Sequence, residues 1–304
     1  IVVRLVGSEM CIRDRKVSFI STKEKLSSCK EDNQSAVIHI IFRNSLKENL
    51  LKECNFDKSR TYVINLENED SIKDYREISI RNQIFFNKPS ILKIIEENKF
   101  LFISSKIKEI EKFKFFSEKN NLIINEDNLI FLKNNDDFET FISEIFDQRE
   151  SLKRNKNVER ILNRNLQFTS RKRQDINSII LSSNSESTKR ILPALKFNLL
   201  QDIKVFNMPN HFDAWSNSST PNDLNSSKGL EYPILVNKMN FGDQEFLKLS
   251  SDEKIIYSLG FDTLGIISDK DYFGFLGQYS ARNNKIILQP ISVDFEGDQI
   301  QQRF

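Results

Sequence analysis

A three-residue apolar run, Ile179-Ile180-Leu181, enclosed by polar residues on both sides, constrains this chain more than any other feature. Asp175 and Asn177 flank its start, and the cluster Ser182–Ser187 follows it. Runs bounded in this way fill parallel strands that are buried on both faces. The cluster supplies several helix N-caps, and Glu186 lies where a carboxylate complements the N-terminal dipole. In the helix that follows, Ile191, Leu192, Leu195 and Leu199 share one face, with Lys189, Arg190, Lys196 and Asn198 largely off it. Asp202 ends the helix, and Ile203-Lys204-Val205-Phe206 reads as the next strand. Such a unit requires a sheet covered by helices and a right-handed crossover. It fixes an α/β class and leaves function open.

The alternation continues through the chain. It predicts strands at 35–42, 61–66, 83–86, 100–103 and within 122–132, and helices at 46–54, 90–97, 106–120 and 148–165. Residues 68–81 read as a loop with a short helix. Ile107, Ile110 and Phe113 would face inward from the helix at 106–120, and Asp136 would cap a helix carrying Phe138, Phe141, Ile142 and Ile145. Residues 207–228, rich in Ser, Asn and Pro, read as the longest loop and a crossing between lobes. After it, 230–236 reads as a strand, 252–267 as a helix, and Gly274 onward as strands with Gly turns.

Residues 5–15, LVGSEMCIRDR, resemble the translation of a transposon-type sequencing adapter. Residues 1–16 are therefore expected to be foreign to the fold, and the chain to be a fragment lacking its native start. Without them 41 basic and 41 acidic residues remain. That balance leaves no global electrostatic case for nucleic acid or anionic lipid. No apolar run reaches the length of a membrane span. Cys29 and Cys54 could pair in an oxidising compartment, but two cysteines make neither a disulfide framework nor a metal-ligand pattern, and two unrelated thiols are expected.

No glycine occurs between Ser8 and Lys228. Phosphate-cradling loops need glycine for close backbone approach and positive φ, so a P-loop or dinucleotide fingerprint is excluded there. His39 lies within an apolar strand and reads as a packed or edge residue. His211, beside Asp213 and Trp215, reads as a solvated loop histidine before a cleft-lining one. Asp136-Asp137 and Glu96-Glu97 fit capping and exposed faces, and no Gly-x-Ser-x-Gly elbow exists. No catalytic, cofactor-binding or metal-ligating residue emerges, and no cofactor is expected.

The strongest local charge is basic: between Arg149 and Arg173 nine Lys/Arg stand against Glu150 and Glu159. A solvated helix face is the simplest reading. Base-stacking aromatics are not interleaved, which disfavours nucleic acid. A docking face for an acidic partner is the third reading, with Arg164, Arg171 and Arg173 as its candidate residues.

The wording of several segments is more specific than their physics. Asp137-Phe138, Arg160–Phe168, the Arg171-Lys172-Arg173-Gln174-Asp175-Ile176 start, Ile191–Phe197, Asp223-Leu224-Asn225 with Gly229–Pro233, Tyr257–Asp262 and Gly274–Ser280 follow one another in order. From about Asp137 to Gly297 they resemble the C-terminal domain of the LppC/LpoA-type lipoproteins, the penicillin-binding-protein activators. The chain departs from that pattern at Asn163, where a glycine is expected, at Asn225–Lys228, which inserts residues, and near Ser292-Val293, where a tryptophan is missing.

The resemblance implies a type I periplasmic-binding-protein-like fold of two α/β lobes. Residues 17–88 with 230–270 would form the first lobe, and 89–229 with 271–304 the second. It also implies a non-enzymatic regulator, anchored at the outer membrane through a lipid, facing the periplasm. That regulator would bind a class A penicillin-binding protein, a bifunctional peptidoglycan synthase, and stimulate chiefly transpeptidation. A solute receptor holding a small molecule between the lobes is the alternative on the same scaffold.

Overall fold

The computed structural model describes residues 17–20, 38–42, 61–65, 76–79, 86, 89–133, 137–210, 212–214, 221–237, 244–268, 271–282, 285–296 and 299–303. Its strands are β1 (Val17–Ile20), β2 (Ile38–Phe42), β3 (Thr61–Asn65), β4 (Arg76–Ser79), β5 (Phe100–Ser104), β6 (Leu129–Phe131), β7 (Ser178–Ser182), β8 (Lys204–Asn207), β9 (Lys228–Glu231), β10 (Asp271–Gly274), β11 (Gly277–Arg282), β12 (Lys285–Gln289), β13 (Ile291–Glu296) and β14 (Gln299–Arg303). Its helices are α1 (Pro89–Glu96), α2 (Ile107–Lys119), α3 (Phe138–Ile145), α4 (Gln148–Leu162), α5 (Ser185–Phe197), α6 (Pro233–Val236), α7 (Gln244–Lys248) and α8 (Ser251–Ser268). The 1–16 segment, Cys29, Cys54, the helix expected at 46–54, His211 and Trp215 lie outside the described residues.

Two compact units result, residues 1–85 with 232–291 and residues 86–231 with 292–304. The first holds a sheet of order β1-β2-β3-β4-β12-β11-β10. Strands β1 to β4 and β12 run parallel, and β12, β11 and β10 run antiparallel. The second holds a sheet of order β14-β13-β9-β8-β7-β5-β6, parallel from β6 to β9. The α/β class expected from the alternation is the class observed.

The core of the second unit shows why these residues take these elements. All five residues of β5 are buried, as are the first four of β7. Phe113 of α2 stacks on Phe102 at 4.3 Å, and Phe86 meets both rings edge-on. Asn184 caps α5 by accepting the Ser187 N–H, and Ile191, Leu192 and Leu195 are buried as its periodicity requires. Asn198 joins three helices: its amide donates to the Glu139 carbonyl, and its own carbonyl accepts from Gln148.

Several expectations are corrected. Phe113 faces inward as expected, but Ile107 is 57% exposed, because α2 turns Phe116 and Ser117 inward beside Phe113. Leu199 is 69% exposed and left-handed, since α5 stops at Phe197. The cap of α3 is Asp137, not Asp136. Residues 76–79 are a strand where a loop is expected, and Phe86 is helical. Pro233, at the first position of α6, converts the second half of the expected 230–236 strand into a helical turn. Residues 207–228 do not cross between units, because β8 and β9 pair within one sheet. Residues 271–291, which the resemblance placed in the second lobe, belong to the first unit, where β12 pairs with β4.

The buried and exposed positions of α2 separate by mutation. Phe113→Ala empties a buried stacked position and is expected to lower stability by about 3–5 kcal/mol in urea melts. Ile107→Ala is expected to change it by less than about 0.5 kcal/mol.

Candidate functional site

Asp262 lies in the middle of α8 with no exposed surface. Its Oδ1 accepts the Phe275 N–H at 2.7 Å, and its Oδ2 accepts the Leu276 N–H at 2.9 Å and the Tyr279 hydroxyl at 2.8 Å. Phe275 and Leu276 form the turn between β10 and β11, closed by the Gly274–Gly277 pair. Both glycines are needed. A Cβ on Gly274 would lie 2.3 Å from Asp262 Oδ1, and Gly277 has φ +133°. One helix carboxylate thus holds the tip of a hairpin. Burial raises its carboxyl to about 6, against the pull of the three donated hydrogen bonds. Burial, then the Asp262 charge, pushes the Tyr279 hydroxyl well up, so it remains a donor.

The second unit has its own buried polar chain at the carboxyl ends of β7, β8 and β9. Ser183 and Thr188 hydroxyls meet at 3.1 Å, and the Asn210 amide donates to Thr188 Oγ1 at 3.3 Å. Backbone N–H groups of Asn210 and Phe212 donate to Glu231 Oε2 at 3.2 and 3.0 Å. At the neighbouring strand end, Ser104 Oγ donates to the Ser182 carbonyl at 2.9 Å. The order β6-β5-β7-β8-β9 is doubly wound, and the carboxyl edge of such sheets is where ligands bind. Here the edge groups bind one another and fasten the loop after β8. Among the described residues, no group of three or more His, Cys, Asp or Glu could hold a metal ion.

The three arginines singled out by sequence have different fates. Arg164 and Arg171 are exposed. The Arg171 backbone N–H is fixed to Ser151 Oγ at 3.0 Å, tying its loop to α4. Arg173 is instead engaged. Its guanidinium donates to both Asp175 oxygens, at 3.0 and 2.6 Å, and to Asn128 Oδ1 at 3.2 Å. The Asp175 hydrogen bond raises the Arg173 pKa, and Arg173 holds the Asp175 carboxyl below its ordinary range. Lys172 likewise pairs with Asp202.

A family model described as "LppC putative lipoprotein" matches residues 114–269, half of the chain. The chain belongs to the LppC family. The match takes in Glu231, Asp262 and the Arg-rich segment, while the 274–280 hairpin lies beyond it. The C-domain of Haemophilus influenzae LpoA (YraM), described as a regulator of PBP1A, aligns with a TM-score of 0.54 at 10% identity, over 94% of this chain and 87% of that one. A second structure of Haemophilus influenzae LpoA aligns with a TM-score of 0.56 at 8% identity, over 95% of this chain and 58% of that one. This chain therefore spans little more than half of that longer protein. At such identities the likeness is one of fold. No curated protein matches the sequence. No helix among the described residues is long and apolar enough to cross a membrane.

Reasoning from residues alone missed Asp262, Tyr279 and Glu231 as organising groups. The one signal for the first two was the LppC-like wording of Tyr257–Asp262 and Gly274–Ser280. The structure joins those two segments through a single carboxylate.

The Asp262 carboxyl binds its proton more tightly in the folded protein than at its ordinary value of 3.8. Its contribution to stability is full below about 4 and is lost as pH rises through about 6. Asp262→Asn should remove this component from stability-versus-pH curves. It should also cost about 1–3 kcal/mol near neutrality, because the amide leaves donors of the hairpin unpaired.

Proposed function

We propose that this chain is a non-enzymatic activator of peptidoglycan synthesis, which binds a class A penicillin-binding protein and stimulates chiefly its transpeptidation. One observation carries the reading: an LppC-family chain whose fold aligns with the LpoA C-domain, described as a regulator of PBP1A, over most of both chains. The interior chemistry is compatible with it. Asp262 and Glu231 face backbone donors of their own units, which makes them fasteners of loops.

A rigid surface of this kind acts by binding one conformation of the synthase more tightly than another, and so shifts the population. We place the protein in the periplasm, held at the outer membrane by a lipid, in keeping with a lipoprotein family. Arg164 and Arg171 are the partner-surface candidates that keep exposed side chains. Arg173 acts at one remove, by fixing the start of β7 through Asp175.

Reconstitution tests this directly. A purified class A synthase is supplied with its lipid-linked substrate, with and without the chain, and cross-linked product is quantified. The expected outcome is a several-fold rise in cross-linking with the chain present, and no product from the chain alone. An unchanged cross-linking rate with every class A synthase of the same cell would defeat the proposal.

A further inference from the structure

Helix α4 leaves the body of its unit part-way along its length. Gln148 and Ser151, in its first turns, are buried. Further along that face Asn155 is half-buried, and then Val158 and Leu162 stand 43% and 53% exposed. Ile161 beside them is 79% exposed, and past the helix end Leu166 and Phe168 are 38% and 37% exposed. The cations divide in the same way. Arg149, Lys153, Lys172 and Arg173 each have an acid beside them. Arg154, Lys156, Arg160 and Arg164 have no salt-bridge partner among the described residues.

We propose that the outer half of α4, with residues 163–168, is a docking surface for an acidic, apolar-faced segment of a partner protein. The partner's apolar residues cover Val158, Ile161 and Leu162, and its carboxylates meet Lys156, Arg160 and Arg164. Charge decides among the possible occupants. A second copy of this chain would bring the same cations face to face. An anionic lipid surface calls for a broad apolar face, and Asn155, Asn157 and Glu159 interrupt this one. An acidic amphipathic helix supplies both the apolar cover and the charge. The inference rests on the activator reading only in naming the synthase as the expected bearer of that segment.

The test places a photo-crosslinking residue at position 161 of the full chain, with position 123, where Ile123 is 82% exposed, as the control. The chain is incubated with envelope proteins and the adducts are mapped by mass spectrometry. Adducts at 161 and not at 123 are expected, through a carboxylate-bearing segment. Arg160→Glu with Arg164→Glu should cut them roughly tenfold while the thermal melt is unchanged. If that segment belongs to a class A synthase, surface and function both stand; if it belongs to another protein, the surface stands and the synthase reading falls. The surface is overturned by adduct levels no higher than the control, by adducts with a second copy or lipid, by a partner segment without carboxylates, or by indifference to the charge reversal.

Discussion

Burial of β5 and β7 on both faces is the constraint from which the second unit follows. Phe100, Leu101, Phe102, Ile103, Ile179, Ile180 and Leu181 have no exposed surface. Each such side chain contributes about 1.5–3 kcal/mol of transfer free energy, too much to leave either sheet face open to water. The chain leaves β5 through α2 to reach β6 on one side, then returns past β5 to β7 on the other. Right-handed crossovers in opposite directions put the connecting helices on opposite faces. The sheet is thereby covered on both sides, and the reversal fixes where the strand ends gather polar groups.

Those polar groups follow a common rule. A carboxylate removed from water must be matched by donors, and for Asp262 and Glu231 these include backbone N–H groups of a loop. Asp262 takes the hairpin tip between β10 and β11, and Glu231 takes the loop after β8. The acid is on one element and the loop on another, so each bond fixes a connection that packing alone would leave loose. Asn207 is an incomplete case. Its amide donates to Ser227 Oγ, while its buried Oδ1 has no partner among the described residues.

How much of this was legible depended on whether the deciding interaction was local. The β7–α5–β8 unit could be read because its signals lie within the residues concerned: an apolar run, an N-cap and a helical period. On α2 Phe113 could be read as inward but Ile107 could not be told from it, because the two differ only in what covers them. The choice of sheet for β10–β12 depends on pairing with β4, some two hundred residues earlier, and no local pattern specifies it. Arg173 reads as surface charge until Asp175 and Asn128 are seen beside it. Glycine scarcity was legible in a further sense. Asn98, Asn121 and Asn163 occupy left-handed positions at φ 48°, 54° and 51°, where glycine usually ends a helix. The Asn163 departure from the family pattern is thus a conservative one, since asparagine tolerates the conformation that the turn requires.

The charge distribution favours a local contact over long-range capture. Residues 17–304 are formally neutral, so the excess of cations on α4 and its following loop is balanced elsewhere on the chain. At physiological ionic strength a field of this kind decays over about 8 Å, and only groups already close to α4 sense it. Charges that act over such distances orient a partner and reject wrong ones more than they add affinity. Affinity has to come from apolar surface removed from water, and Val158, Ile161 and Leu162 place that surface among the unpaired cations. Glu159 keeps the two together: its side chain accepts the Leu166 N–H and its carbonyl accepts the Arg164 N–H. Those bonds fold the end of α4 back on itself and hold the apolar strip and its flanking charge in one fixed arrangement.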